Sequence, residues 1–217
     1  MNVRILIKLS PSNAQNPHSL RKKPVQSRAL ITLGALQESF VRVLIERGYE
    51  KMTIREVAAV AGIGVGTFYD YVPNLRALAA SAIHKRCMDT AAILQAAVSA
   101  HAGQDIQAMV NALLQALVKE GFGRPKEWTA LLMLERQVSS AAALRKIHES
   151  YVQVWEQAIQ QSSVNIPSAT LTLKARMAHS LSYGWYSHDL LFYMDDPQHS
   201  RSITDIASAI VGIIGQR

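Results

Sequence analysis

Thr53-Ile54-Arg55-Glu56-Val57-Ala58, followed by Ala61-Gly62-Ile63-Gly64-Val65-Gly66-Thr67-Phe68-Tyr69-Asp70-Tyr71, decides how this chain folds. Thr53 and Glu56 have the spacing of a capping box, in which each side chain satisfies the other residue's backbone N–H. Ile54, Val57, Ala58 and Ala61 then recur at helical spacing and form an apolar stripe. Gly62 takes a left-handed turn without steric cost, so it stops this helix and redirects the chain. Ile63 is expected to plug the corner, and Gly64 to open a second short helix whose Phe68 faces the core. Val65, Thr67, Tyr69 and Tyr71 are left to point outward. Two short helices at a tight glycine turn are the pattern by which a helix-turn-helix offers its second helix to the DNA major groove. From spacing alone, a plain helical hairpin fits as well.

Charge placement favours a polyanionic partner. The 217 residues carry 23 Lys/Arg and 16 Asp/Glu, a formal net charge of +7. Residues 1–86 hold 13 basic against 5 acidic side chains, and residues 87–217 hold 10 against 11. The whole basic excess therefore lies on the part with the glycine turn, which suits a salt-dependent contact with phosphates. Arg21-Lys22-Lys23 precede the first helix and Arg28 lies just inside it, either as an arm along DNA or as a tail without specific contacts. Residues 1–24 read as a flexible basic leader. Ile5-Leu6-Ile7 is too short to span a membrane.

The rest of the chain reads as helical, with no sustained period-two alternation. The fold class is all-α, with about nine helices. Expected spans are residues 25–47, the two short helices of the turn, 75–100, 105–120 ending in Gly121-Phe122-Gly123, 127–138, 141–162, 168–194 and 202–214. Gly103, Ser139-Ser140, Asn165-Ile166-Pro167 and Asp195-Asp196-Pro197 mark the breaks. Residues 25–73 form the expected DNA-binding unit, with the helix-turn-helix at about 53–72. Residues 74–217 form a regulatory and dimerisation unit joined to it rigidly through helix four.

Enzyme signatures are missing from the sequence. The seven His are scattered, no His pair has the spacing of a helical zinc site, and no phosphate loop or nucleophile elbow occurs. No catalytic residue, metal ligand or cofactor is expected. Cys87 is the one cysteine, so no intramolecular disulfide forms, which suits a cytoplasmic location. It reads as a small core residue or, beside Lys85-Arg86, as a redox-sensitive thiol.

From Ser27 to Arg86 the chain resembles the DNA-binding domain of the tetracycline-repressor (TetR) family. The resemblance rests on Phe40, Gly48-Tyr49-Glu50-Lys51-Met52-Thr53, Val57-Ala58, Ala61-Gly62-Ile63, Gly66-Thr67-Phe68-Tyr69 and Arg76-Ala77-Leu78. It implies a homodimer on a palindromic double-stranded operator, with DNA contacts from Arg28, Thr53, Arg55, Gly64, Val65, Gly66, Thr67, Tyr69, Tyr71 and Asn74. Arg55 is expected at base edges and Thr67 at phosphate. The chain departs from the family at Gly64, where Ser or Thr is common, and at Leu75, where a phosphate-gripping Lys is common. Either Arg76, Tyr71 and Asn74 replace that grip or operator affinity is lower. Asp70 is expected to point away from DNA or to pair with a base or cation.

The resemblance also implies a small, largely apolar effector held in the second unit, and so a repressor released by its ligand. Candidate cavity residues are Met109, Trp128, Met133, Tyr151, Trp155, Met177, His179 and Tyr183, with Glu135, Arg136, His101 and His188 as polar groups able to orient a ligand. The expected dimer face comprises Leu181, Gly184, His188, Leu191, Ile206, Ile210 and Ile213 on the last two helices. The rival reading is a ligand-binding or scaffold protein that has lost specific DNA recognition.

Overall fold

Local capping determines where most helices begin. The computed structural model describes residues 27–196 and 202–215; the leader, the Arg21-Lys22-Lys23 arm and the start expected at Val25 lie outside them. The elements are α1 (Ser27–Arg47), a single 3-10 turn (Tyr49–Lys51), α2 (Ile54–Val60), α3 (Val65–Tyr71), α4 (Leu75–Ala100), α5 (Ile106–Phe122), α6 (Pro125–Val138), α7 (Ala141–Gln161), α8 (Ser168–Phe192) and α9 (Ile203–Gly215). No strand occurs among the described residues. Asn74 Oδ1 accepts from the Ala77 N–H at 2.8 Å to open α4, and Asp105 Oδ1 does the same for Ala108 at the start of α5. Ser140 caps α7 through Ala143 N–H, and Pro125 occupies the first turn of α6, where its missing N–H costs nothing.

The helix-turn-helix is built by its own backbone. The Thr53–Glu56 capping box is complete, with Glu56 N–H to Thr53 Oγ1 at 3.2 Å and Thr53 N–H to Glu56 Oε2 at 3.0 Å. Gly62 has φ 69°, and the N–H groups of Gly62 and Ile63 donate to the carbonyls of Ala59 and Ala58. This is a Schellman closure, and it sets the angle at which α3 leaves α2. Phe68 is fully buried and pins α3 to the core.

Two apolar clusters fill the interior. The first runs from Leu36, Phe40 and Phe68 through Leu78 and Ile83 to Trp128, Leu131 and Tyr186, so it joins α1–α3 to α4, α6 and α8 without a break. The expected boundary at 73/74 thus falls inside a continuous core. The second cluster holds Leu94, Leu113, Leu114, Trp155 and Ile159 with Ile210 and Ile214 of α9. Helix α4, about 39 Å long, takes part in both. Helix α6 packs against α1, α4 and α8.

One expected boundary moves for a packing reason. Helix α5 was expected to end at the glycines from 121; it continues through Gly121 and Phe122. Gly121 is buried under Tyr186, where an added Cβ would lie 2.2 Å from the Tyr186 hydroxyl oxygen. That glycine makes room for an aromatic ring and does not stop the helix.

Candidate nucleic-acid interface and ligand cavity

Helix α3 presents a side that its own fold leaves uncovered. Val65 is 39% and Tyr69 42% exposed, and Gly64, Gly66 and Asp70 are also exposed. Thr67 is half-buried. Arg55 on α2 and Arg28 on α1 are exposed. Thr53 is exposed, but its side chain is committed to the capping box. Gly64 caps α3 in extended geometry without a side-chain hydrogen bond, and open space surrounds the position of its missing Cβ.

The three residues put forward as substitutes for a phosphate-gripping lysine are engaged elsewhere. Asn74 caps α4, Tyr71 is half-buried against the first core cluster, and Arg76 Nε donates to the Val138 carbonyl at 3.4 Å. Leu75 also packs against that cluster. Asn74, Tyr71 and Leu75 are therefore committed to holding the helices together, whereas the Arg76 guanidinium stays exposed. Lys51 and Arg55 are the exposed cations nearest the turn in sequence.

Behind this surface, an ion-pair network ties α1 to the distal helices. Arg86 on α4 grips Glu38 of α1 bidentately, at 2.9 and 2.6 Å, and reaches Glu127 of α6 at 2.6 Å. Arg124 pairs with the same Glu127 at 3.2 Å and with Glu120. Arg86 and Glu127 are nearly buried, whereas Glu38 is exposed. Burial alone would lower the Arg86 pKa, yet its bonds to Glu38 and Glu127 leave it raised.

The sequence neighbours of these two ions, Cys87 and Trp128, both line a cavity of about 450 Å³. The cavity lies at the seam between the core clusters, with Cys87, Trp128 and Tyr186 from one and Leu94, Leu113 and Trp155 from the other. Its size falls within the range of small-molecule sites and far exceeds ordinary packing gaps. Tyr151 stacks on His179 at 5.3 Å and 3°, and Tyr183 tilts against the same imidazole at 5.9 Å.

Of the candidate cavity residues, Trp128, Tyr151, Trp155, His179 and Tyr183 meet here. Three do not. Met109 is fully buried in the second cluster behind the wall. Met133 is 64% exposed because it sits two residues, about 200° of helix, from Leu131 and Glu135. Met177 stands in the same relation to His179 and is 42% exposed. Glu135, Arg136 and His148 also line the cavity, whereas His101 and His188 do not. Cys87, expected in the core or as a redox-sensitive thiol, is placed on the wall by tertiary packing, beside Tyr186.

Burial shapes the chemistry of these groups. It pushes the Cys87 thiol up to about 12, with Glu135 adding to the effect and a bond to Tyr151 opposing it. Native protein at about pH 8 should therefore leave Cys87 unmodified by a thiol reagent while unfolded protein reacts promptly; rapid native labelling would contradict this burial. His179 is pushed down to about 4 by burial and by neighbouring His148. The unfolded imidazole binds a proton near pH 6.5 that the folded one refuses until about 4, so this contribution to stability is lost as pH falls through that window. Urea titrations should show about 2 kcal/mol lost to this group between roughly pH 7 and pH 5, and His179→Gln should remove that component. Glu135, whose carboxyl burial raises, opposes the trend in both proteins.

The expected dimer face divides. Ile210 is fully buried in the chain's own second cluster and is unavailable to a partner. Leu181, Gly184, Leu191, Ile206 and Ile213 are partly exposed, and His188 is exposed. Leu173 and Met177 continue the α8 stripe through Leu181, Gly184 and His188 at helical spacing, and both are exposed. Among the described residues no group of His, Cys, Asp or Glu is arranged to hold a metal ion, and no helix is long and apolar enough to cross a membrane.

Residues 40–82 match the sequence profile of the bacterial regulatory proteins of the tetR family. This segment is a TetR-type DNA-binding domain. No curated protein matches it. Among solved structures, a TetR transcriptional regulator from Rhodococcus sp. RHA1 superposes with a TM-score of 0.64 at 17% identity, covering 88% of this chain and 99% of that one. The fatty acid degradation regulator FadR from Bacillus halodurans gives 0.63 at 15% identity, over 90% and 97% of the two chains. A tetR-family transcriptional regulator from Streptomyces coelicolor gives 0.63 at 18%, over 84% and 79%. At these identities the shared property is the TetR fold. The chain thus has the domain and architecture of a TetR-family transcriptional regulator.

Proposed function

We propose that this TetR-family chain is a homodimeric repressor that leaves a palindromic operator when a small, largely apolar ligand enters the seam cavity. The observation that carries this reading is the uncovered side of α3, with Val65 and Tyr69 standing out from a backbone-locked turn. Residues 25–73 are the DNA-contacting unit, and residues 74–217 hold the effector and the partner. The α8–α9 stripe of Leu173, Met177, Leu181 and Gly184, with Ile206 and Ile213, packs against its symmetry mate. Two recognition helices then span major grooves about 34–36 Å apart. The protein works in the cytoplasm, where the DNA is, and catalyses no reaction.

The ion-pair network gives the coupling a route. A ligand against Trp128 and Cys87 bears on the residues next to Glu127 and Arg86, and Arg86 holds α1 through Glu38. The effect is limited to the ligand's differential affinity for the two arrangements, about 1–3 kcal/mol in most such systems.

Leu75, packed against the core where a phosphate-gripping Lys is common, and Arg76, whose Nε bonds to the Val138 carbonyl, favour a second reading, a ligand-binding protein without specific DNA recognition. Gel shifts against the DNA flanking its own gene separate the two. A repressor gives a specific complex that weakens steeply with salt; the alternative gives only weak, sequence-independent shifts.

A further inference from the structure

The cavity's polar groups are unevenly matched, and the mismatch specifies a chemistry. Glu135 is only 9% exposed, faces the cavity and forms no ion pair among the described residues. Arg136 beside it is exposed. Burial raises the Glu135 carboxyl, and Arg136 and the Tyr183 hydroxyl offset this only in part. The Tyr151–His179–Tyr183 ring wall lines the same space.

We infer that the effector is a lipophilic cation, with a protonated amine seated against Glu135 and the neighbouring aromatic wall. This deepens the proposed function and rests on the seam cavity being the effector site. A pure hydrocarbon would leave the Glu135 carboxylate without an ion pair in a largely apolar space. A carboxylate ligand gains the exposed Arg136, which also lines the cavity, but meets the buried Glu135 with the same charge. A cation gains both the carboxylate and the π-faces of the tyrosines.

Three probes on one para-methoxyphenylbutyl skeleton test this: the primary amine, the alcohol and the chain-extended carboxylate. Each is titrated by calorimetry into the full-length protein. The amine should bind at least ~10-fold tighter than the alcohol and at least ~100-fold tighter than the carboxylate, the order expected for a desolvated ion contact. Glu135→Gln, with folding checked by circular dichroism, should abolish the amine preference.

Equal or tighter binding of the alcohol or carboxylate overturns the inference, as does failure of all three to bind at millimolar concentration. The wild-type comparison needs no variant to fold. If the preference is absent while the protein still shifts operator DNA, the ligand class falls and the regulator reading stands. If the preference is present without any specific shift, the class stands and the regulator reading falls.

Discussion

Tyr69→Ala is expected to lower operator affinity at least ~30-fold while leaving the dimer and its thermal stability unchanged. A well-placed groove contact contributes about 1–3 kcal/mol to discrimination, and a two-fold dimer uses the residue twice, so the minimum loss is near 2 kcal/mol. Stability should hold because Tyr69 is exposed and its one ring contact is with Phe68, its neighbour in sequence. Substitutions at such surface positions stay within about 0.5 kcal/mol. Electrophoretic shifts with wild-type and variant protein, alongside sedimentation and a thermal melt, measure all three quantities. Normal affinity in the variant would remove Tyr69 from the interface; loss of the dimer would make the affinity result uninformative about α3 and contradict the separation of the two surfaces.

Arg86→Ala should be the most destabilising change in the ion-pair network. Its guanidinium is nearly buried and serves Glu38 and Glu127 together. Removing it leaves Glu127 almost buried with only Arg124 as counter-ion. Breaking a buried pair from one side costs about 3–5 kcal/mol. The lower end applies because one cation remains, so the melting temperature should fall by roughly 6–12 °C. Glu38→Gln separates coupling from stability. Glu38 is exposed, so its loss should cost under about 1 kcal/mol yet weaken the link from α4 to α1. Ligand should still bind that variant with unchanged affinity while releasing DNA less completely. Unchanged release would show that the signal bypasses Arg86.

The features that could be read from the sequence are those fixed by local backbone chemistry. The Thr53–Glu56 box and the Gly62 turn each depend on residues within a few positions of one another, and both have the geometry their spacing implies. Helix α4 begins and ends within a residue of its expected bounds for the same reason. The misreadings lie where packing decides. Gly121 has the composition of a stop but makes space for a ring 65 positions away in sequence. Met133 and Met177 were grouped with the aromatics by residue type, although helix phase turns them outward. Ile210 shares an isoleucine-rich helix with Ile206 and Ile213, yet α9 is apolar on more than one side and Ile210 faces inward. Arg76 has the charge for phosphate, but α6 ends within its reach and its Nε donates to the Val138 carbonyl. Cys87, Trp128 and Tyr186 come from α4, α6 and α8, and no sequence period could place them around one cavity.

Selection of full-length protein against random DNA duplexes tests the central claim most directly. The account predicts enrichment of an inverted repeat whose half-sites lie about one helical turn, 10–10.5 base pairs, apart centre to centre or a multiple of that, with the enrichment lost for Tyr69→Ala. Recovery of no shared sequence, or of an inverted repeat that Tyr69→Ala recovers equally well, would contradict it.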